Sequence, residues 1–355
     1  MKNKPRHKSF FREPHRRLSH AVLSLLFRPI ESKPVFEGAL NSLIIIAPEK
    51  TGDAILLTPL IKRLRTAYPT LEIAILASSE IVADFFRNDP NISTIYTPKK
   101  NWASYLTTIR KKEFDLLFNP KDHLSFSAVF HSRFIRARHR VGIFHPSHKG
   151  FFNYLIDLPF LLPVIEKNCA LLDYVGVTYV REECPPYLPP HEISGTIRKF
   201  IVEKCPRGAL GINLSAGESD REWSIDKWRE LLRRSEQPAV IFAMHDRYAD
   251  KLNLEAEFPQ VIPSPQTQSI YEAGEIIAHL GMLVSPDTAL IHVASCVGTP
   301  VVGLYRSDKI HYTRFPPWLV PNVILISPSD EIEDIPLEAV VDGMQLLLKA
   351  ETDEP

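Results

Sequence analysis

"IIIAPEKTGDAILLTPL", residues 44–60, decides the fold. It opens as an unbroken apolar run, breaks at Lys50-Thr51-Gly52-Asp53, and resumes with apolar residues at a different spacing. A run without polar alternation is what a strand buried on both faces requires. After the break, Leu57, Leu60, Ile61 and Leu64 share one face of a helix over 54–68, with Pro59 near its first turn. Strand, tight turn and amphipathic helix form the first half of a βαβ unit.

Gly52 permits the turn. Asp53 stands past the strand's carboxyl end and at the helix start, where two readings are open. It can cap the helix by accepting a first-turn amide hydrogen. It can also act as a general base, because doubly wound sheets place ligands beyond the carboxyl ends of their strands. One carboxylate can serve both roles. The turn carries one glycine, so it is neither a G-x-G-x-x-G dinucleotide fingerprint nor a Walker A loop.

Outward from this stretch, strand-like and helix-like runs alternate. "LEIAILAS" (71–78), "ISTIYTP" (92–98), "FDLLFNP" (114–120) and "RVGIF" (140–144) read as strands, with helices between them that include "WASYLTTIRKK" and "SFSAVFHSRFIRA". A helix at "VIEKNCALLDYVG" precedes the Pro-rich, charged "REECPPYLPPHEISG" (181–195), the expected linker. The pattern then restarts with strands at 208–216, 239–244, 282–287 and 300–305 and helices near 224–235, 246–257, 270–279 and 289–297. The expected organisation is a basic extension (1–40), a first Rossmann-like domain (41–180), a linker (181–205), a second Rossmann-like domain (206–330), and a last helix with an acidic tail (331–355). Two doubly wound parallel sheets are expected to face a central cleft with a ligand-binding wall on each side.

Composition sets outer limits. The 355 residues are 45% hydrophobic and 24% charged, which suits a globular chain of two domains. Formal net charge is zero, so no global field attracts nucleic acid. Residues 1–20 nevertheless carry seven Lys or Arg against Glu13 alone. "PHRRLSHAVLSLLFRP" is basic and then amphipathic, as a segment lying on an anionic membrane surface would be; a disordered tail is the competing reading. The apolar stretch "AVLSLLF" (21–27) is too short to span a bilayer and lacks the form of a signal peptide. The four cysteines form no ligand or disulfide spacing and read as reduced apolar residues. The histidines make no recognisable metal site.

Two further strand ends carry candidate chemistry. In "SPDTALIHVASCVGTPVVGLY" (285–305), Asp287 and Thr288 are capping types, Gly298 suits the C′ position, and the helix amino end offers free N–H groups to an anion such as a diphosphate. His292 reads either as a satisfied, partly buried histidine or as a donor to a phosphate or sugar oxygen. In "SAGESDREWSIDKW" (215–228), Ser224 or Asp226 can cap the next helix, Trp223 and Trp228 read as packing, and Arg221 is either a surface cation or a clamp on an anionic leaving group.

These motifs, in this order, resemble glycosyltransferase family 9, the heptosyltransferases of the lipopolysaccharide inner core. The match runs through "GDAILLTPLIKRLRTAYP", "RNDPNISTIYTP", "SRFIRARHRVG", "DREWSIDKW" and "DTALIHVASCVGTPVVGLY", over roughly residues 41–326. The resemblance implies a GT-B fold and inverting transfer of a heptose from an ADP-activated donor to a hydroxyl of a lipid-linked saccharide. It implies no required cofactor or metal. It assigns Asp53 as general base, and Arg221, Asp287, Thr288, Ala289 and His292 to the donor. For an anionic acceptor the chain offers Thr51, Gly52, Arg136 and Arg140, with Lys99, Lys100, Lys111, Lys112, Arg133 and Arg138 adding positive charge to the first domain; a solvated basic face is the competing reading. The expected partners are ADP-heptose, the lipid-linked acceptor and an anionic membrane surface, not nucleic acid, and the expected place is the cytoplasm, peripheral to the inner membrane.

The sequence departs from the family pattern in two places. Ala289 replaces a glycine, so its methyl crowds the donor or forbids a positive φ. Arg221 stands where the family often has lysine. Two other readings remain beside the leading one: a family member that uses another nucleotide sugar for a different surface glycan, and a non-catalytic binder of nucleotide sugars or glycolipids.

Overall fold

The computed structural model describes residues 21–36, 38–98, 100 and 102–353; the basic residues 1–20 and Lys99 lie outside them. The chain forms two compact units. One takes the chain up to Lys50, Leu60–Phe160 and Lys167–Tyr179; the other takes Thr51–Pro59, Leu161–Glu166 and the chain from Val180 onward.

The first unit is built on β1 (Ser42–Ile46), β2 (Glu72–Leu76), β3 (Thr94–Tyr96), β4 (Glu113–Asn119), β5 (Arg136–Ile143) and β6 (Tyr154–Ile156). They form one sheet in the order β3-β2-β1-β4-β5-β6. All pairings are parallel, and Ile44 sits opposite Ala74 on one side and Leu117 on the other. The run that opened the sequence reading is therefore a central strand, and its Leu43–Ile46 are buried on both faces. Helices α1 (Thr51–Ile55) and α2 (Thr58–Ala67) follow β1 along the chain, then α3 (Glu80–Phe86), α4 (Trp102–Ile109), α5 (Phe126–Phe134) and α6 (Val164–Tyr174). Thr58 separates α1 from α2 by donating its hydroxyl to the Ile55 carbonyl at 2.7 Å. A helical stretch at 21–26 buries Leu23 in the core and leaves Leu25 and Leu26 exposed.

The second unit carries β7 (Ala209–Asn213), β8 (Ala239–Phe242), β9 (Leu280–Pro286), β10 (Val301–Tyr305) and β11 (Asn322–Ile326), in the order β11-β10-β9-β7-β8 and again parallel throughout. Its helices are α7 (Gly195–Glu203), α8 (Ile225–Arg234), α9 (Tyr248–Glu257), α10 (Ile270–Ile277), α11 (Ala289–Val297), α12 (Lys309–Arg314) and α13 (Leu337–Asp353). Trp223 and Trp228 are packing residues, as expected: both are fully buried, with rings crossing edge to face at 4.7 Å. Leu337, Val340, Met344 and Leu347 lay α13 into the same core.

The order of strands locates the ligand-binding edge of each sheet. It reverses between β1 and β4 in the first unit and between β7 and β9 in the second. Loops leaving the carboxyl ends of those pairs flank each sheet's crevice.

Three local expectations are corrected. The helix expected at "SFSAVFHSRFIRA" stops at Phe134, because Arg136–His139 alternate exposed and buried and join β5. Strands β6 and β11 and helices α7 and α12 were not anticipated; β6 has three residues and α12 has six, too few for either period to show, and α7 lies within the stretch expected as linker. The proline-rich stretch from 181 counts with the second unit and is pinned there: Trp318 donates its indole N–H to Cys184 O at 3.0 Å, and Tyr187 N donates to Thr58 Oγ1 at 2.9 Å.

Candidate active site

The loop after β9 is organised by its own side chains. Thr288 is the N-cap of α11, in extended backbone, and its hydroxyl accepts from Leu290 N at 3.4 Å. Gly298 closes the helix at φ 81°, a left-handed turn that glycine adopts without strain. Asn213, the last residue of β7, donates to Ser285 Oγ at 2.9 Å and to Thr288 Oγ1 at 3.1 Å. The two strand ends at the switch point are thereby tied together. Ser224, not Asp226, caps α8.

Asp287 is buried and is the hub of a charged chain. Arg221 Nη1 approaches its Oδ2 at 3.4 Å and its carbonyl oxygen at 3.3 Å. His311 Nδ1 lies 3.0 Å from the same Oδ2. Arg306 Nη2 lies 2.9 Å from His311 Nε2, and its Nη1 pairs with Asp220 at 2.7 Å. A guanidinium can only donate, so Nε2 accepts from Arg306 and Nδ1 is the ring nitrogen left to carry a hydrogen, beside Asp287. Arg221 is mostly buried, and its Nε has no partner among the described residues. A buried donor of this kind is costly unless a ligand meets it.

Asp53 sits elsewhere than its capping reading required. It is the third residue of α1, half-buried, inside the first turn rather than before it. A carboxylate there still favours the positive end of the helix. The second unit includes α1, which packs on α11: a Cβ built at Gly52 would stand 3.4 Å from Ala289 Cβ and 3.5 Å from His292 Cδ2. Gly52 thus lies against the start of α11, with Thr51 beside it in α1. Ala289 is the first helical residue of α11, and Leu319 is the one non-glycine with positive φ among the described residues. No left-handed conformation is needed at 289, and its methyl faces Gly52.

His292 follows on α11. Burial pushes it down to about 4, with Asp287 opposing, so the ring is neutral at physiological pH. Its Nδ1 is buried with no partner among the described residues. A neutral imidazole there offers one donor and one acceptor.

The two acceptor arginines are corrected. Arg140 is spent on structure: Nε donates to Ser132 O at 2.9 Å, Nη1 to Ala137 O at 2.7 Å and Nη2 to Ile135 O at 2.8 Å. Arg136 opens β5, at the amino edge opposite the ligand-binding one. At the carboxyl edge of the first sheet stand Glu49 and Lys121, 3.4 Å apart across the β1/β4 switch point.

Arg306, His311, Asn213 and Asp220 were missed in the sequence. Asn213 ends β7 and Arg306 directly follows β10, so the strand-end rule that selected Asp53 would have found both. Among the described residues no group of three or more His, Cys, Asp or Glu is placed to hold a metal ion, and no helix is long and apolar enough to cross a membrane.

Comparison with known proteins places the chain in a family. Residues 102–335 match the family model described as glycosyltransferase family 9 (heptosyltransferase). The chain is 26% identical over 292 residues to the lipopolysaccharide core heptosyltransferase OpsX of Haemophilus influenzae, spanning 77% of this chain and 81% of that one. Its fold is similar to a solved glycosyl transferase family 9 structure from Veillonella parvula, with TM-score 0.71 and 16% identity over 90% of this chain and all of that one. It is also similar to Escherichia coli heptosyltransferase WaaC with ADP-2-deoxy-2-fluoro heptose, with TM-score 0.65 and 14% identity over 86% and 99% of the two chains. The protein with the Gly52-Asp53 turn and the Asp287–His292 loop belongs to glycosyltransferase family 9, the heptosyltransferases.

Proposed function

We propose that this glycosyltransferase moves a heptose from ADP-heptose to a hydroxyl of a lipopolysaccharide-core saccharide, inverting the anomeric carbon. One observation carries the assignment of the base: the turn bearing Asp53 packs against the first residue of α11, the helix of the candidate donor loop. In the reaction, the acceptor oxygen attacks the anomeric carbon as Asp53 takes its proton. The bond from that carbon to the diphosphate breaks, and its electron pair leaves with ADP. Arg221 and the amino end of α11, capped by Thr288, meet the growing charge on the leaving group. Asp287 holds Arg221 in place, and His292 supplies a neutral polar contact to the sugar or phosphate. No metal is assigned a step.

Support for the donor and acceptor comes from relatives. OpsX acts on the lipopolysaccharide core, and WaaC has been solved with an ADP-heptose analogue. A lipid-linked acceptor places the work at the cytoplasmic face of a membrane. The exposed Leu25 and Leu26, preceded by the basic residues 1–20, suit peripheral contact there.

The test combines calorimetric binding of ADP-heptose, UDP and GDP with turnover on core acceptor. Asp53→Ala should bind ADP-heptose normally and lose turnover by roughly 10²–10⁴-fold. Arg221→Ala should weaken donor binding. Tight binding of UDP or GDP in place of ADP-heptose would remove heptose from the reading, and full turnover by Asp53→Ala would remove the base.

A further inference from the structure

We propose that the carboxyl edge of the first sheet holds a subsite for one saccharide ring, with Trp102 as its wall; the inference rests on the acceptor reading above. A cavity of about 120 Å³ opens there, lined by Glu49, Ser78, Pro98, Trp102, Ser127 and His131. Glu49, Ser78 and Pro98 follow β1, β2 and β3, so the cavity adjoins the β1/β4 switch point where a doubly wound sheet takes its ligand.

The cavity's chemistry matches a sugar. A pyranose has an apolar C–H face and a rim of hydroxyls. Trp102 supplies the matching face: the residue is 47% exposed although its ring touches three others. Those contacts are Tyr105 at 5.5 Å, His131 at 5.9 Å and Phe130 at 6.5 Å between centroids. The indole is held from behind while its outer surface stays open, so it binds without first losing much side-chain freedom. The negative face of an aromatic ring attracts the weakly positive C–H groups of a sugar. The Glu49 carboxylate and the Ser78 and Ser127 hydroxyls supply acceptors and donors for the rim. Lys121 Nζ lies 3.4 Å from both Glu49 Oε1 and Ser125 Oγ and orders that side.

His131 fixes the floor. Its Nδ1 is 2.8 Å from the Tyr105 hydroxyl, and burial pushes the ring down to about 4, so it brings no charge. Size limits the ligand as well: at about 120 Å³ the cavity is smaller than one of roughly 150 Å³ that holds a benzene, so no more than one sugar ring can lean into it against Trp102. The remaining sugars of a longer acceptor would pass over the exposed Phe126 beside it.

The experiment titrates oligosaccharide released from lipopolysaccharide core by mild acid, alongside a panel of other bacterial surface glycans, into the full chain by calorimetry. ADP is titrated in parallel. Trp102→Ala should weaken the core oligosaccharide about tenfold or more, the loss of about 1.4 kcal/mol. Trp102→Phe should restore most of that, and ADP should bind all variants alike. Glu49→Gln, a change at an exposed side chain, should weaken the same ligand and keeps the test decisive if Trp102→Ala does not fold. Unchanged oligosaccharide binding in Trp102→Ala, or in Glu49→Gln where the former is unfolded, overturns the subsite. If another glycan binds in a Trp102-dependent way while core oligosaccharide does not, the subsite stands and the core acceptor falls. If no glycan binds the wild-type protein, the subsite falls, and normal ADP-heptose binding would show that the donor reading survives without it.

Discussion

His311 stands between Asp287 and Arg306: its Nδ1 lies 3.0 Å from Asp287 Oδ2, and Arg306 donates to its Nε2 at 2.9 Å. The carboxylate that steadies Arg221 is thus itself steadied from the loop after β10. His311→Ala should remove this contact from Asp287 and raise the ADP-heptose KM roughly tenfold, a loss of about 1.4 kcal/mol. His311→Gln, whose amide both donates and accepts, should recover part of the loss. Equal donor KM values in all three proteins would show that the ring is packing alone.

Arg140 should behave as a structural residue. Arg140→Met removes the donors for the carbonyls of Ser132, Ile135 and Ala137 and should cost on the order of 3 kcal/mol of stability. The affinity for ADP should not change. Urea denaturation read beside ADP titration separates the two effects, and a normal unfolding midpoint would contradict this assignment.

Two glycines should part company. At Gly52 an added methyl meets Ala289 at an ordinary 3.4 Å, so Gly52→Ala should keep its melting temperature. At Gly281 the same methyl would stand 2.8 Å from the backbone oxygen of Gly208, which must move. Gly281→Ala should therefore lose on the order of 2 kcal/mol. Calorimetric melting of both variants checks the contrast.

Acid should weaken the fold through His131 and His292. Burial holds each at about 4 in the folded chain, against an ordinary 6.5. Between those values the unfolded chain binds protons that the folded chain refuses, so stability falls as pH drops from 6.5 to 4. The loss approaches roughly 3 kcal/mol for each ring. Denaturation midpoints at pH 7 and pH 5 should differ, and His131→Gln should lessen the difference.

How much could be read in advance followed from which forces act locally. The Ile run of β1, the Thr288 cap and the Gly298 terminator are local choices of residue, and all stand where the sequence implied. The Arg306–His311–Asp287 chain was invisible because its members come from loops after two different strands, joined only by the β9–β10 pairing. Arg140 misled for the converse reason. In a sequence, an arginine that feeds backbone carbonyls looks the same as one that waits for an anion. The role given to Ala289 changed once its helical position was known, since the glycine's conformational freedom was never needed there.

The nine residues Thr51–Pro59 count with the second unit although they follow the first strand of the first. Leu56 of this segment packs with Ile165 and Trp318, and Gly52 meets Ala289. A hybrid enzyme joined from two family members at a seam near residue 180 would set Leu56 and Ile165 against Trp318, and Gly52 against Ala289, from different parents. Exchange of donor specificity between relatives should therefore carry three segments together, residues 51–59, 161–166 and 180 onward, and an ancestor that traded only its carboxyl-terminal half would have needed to repair the seam around Asp53.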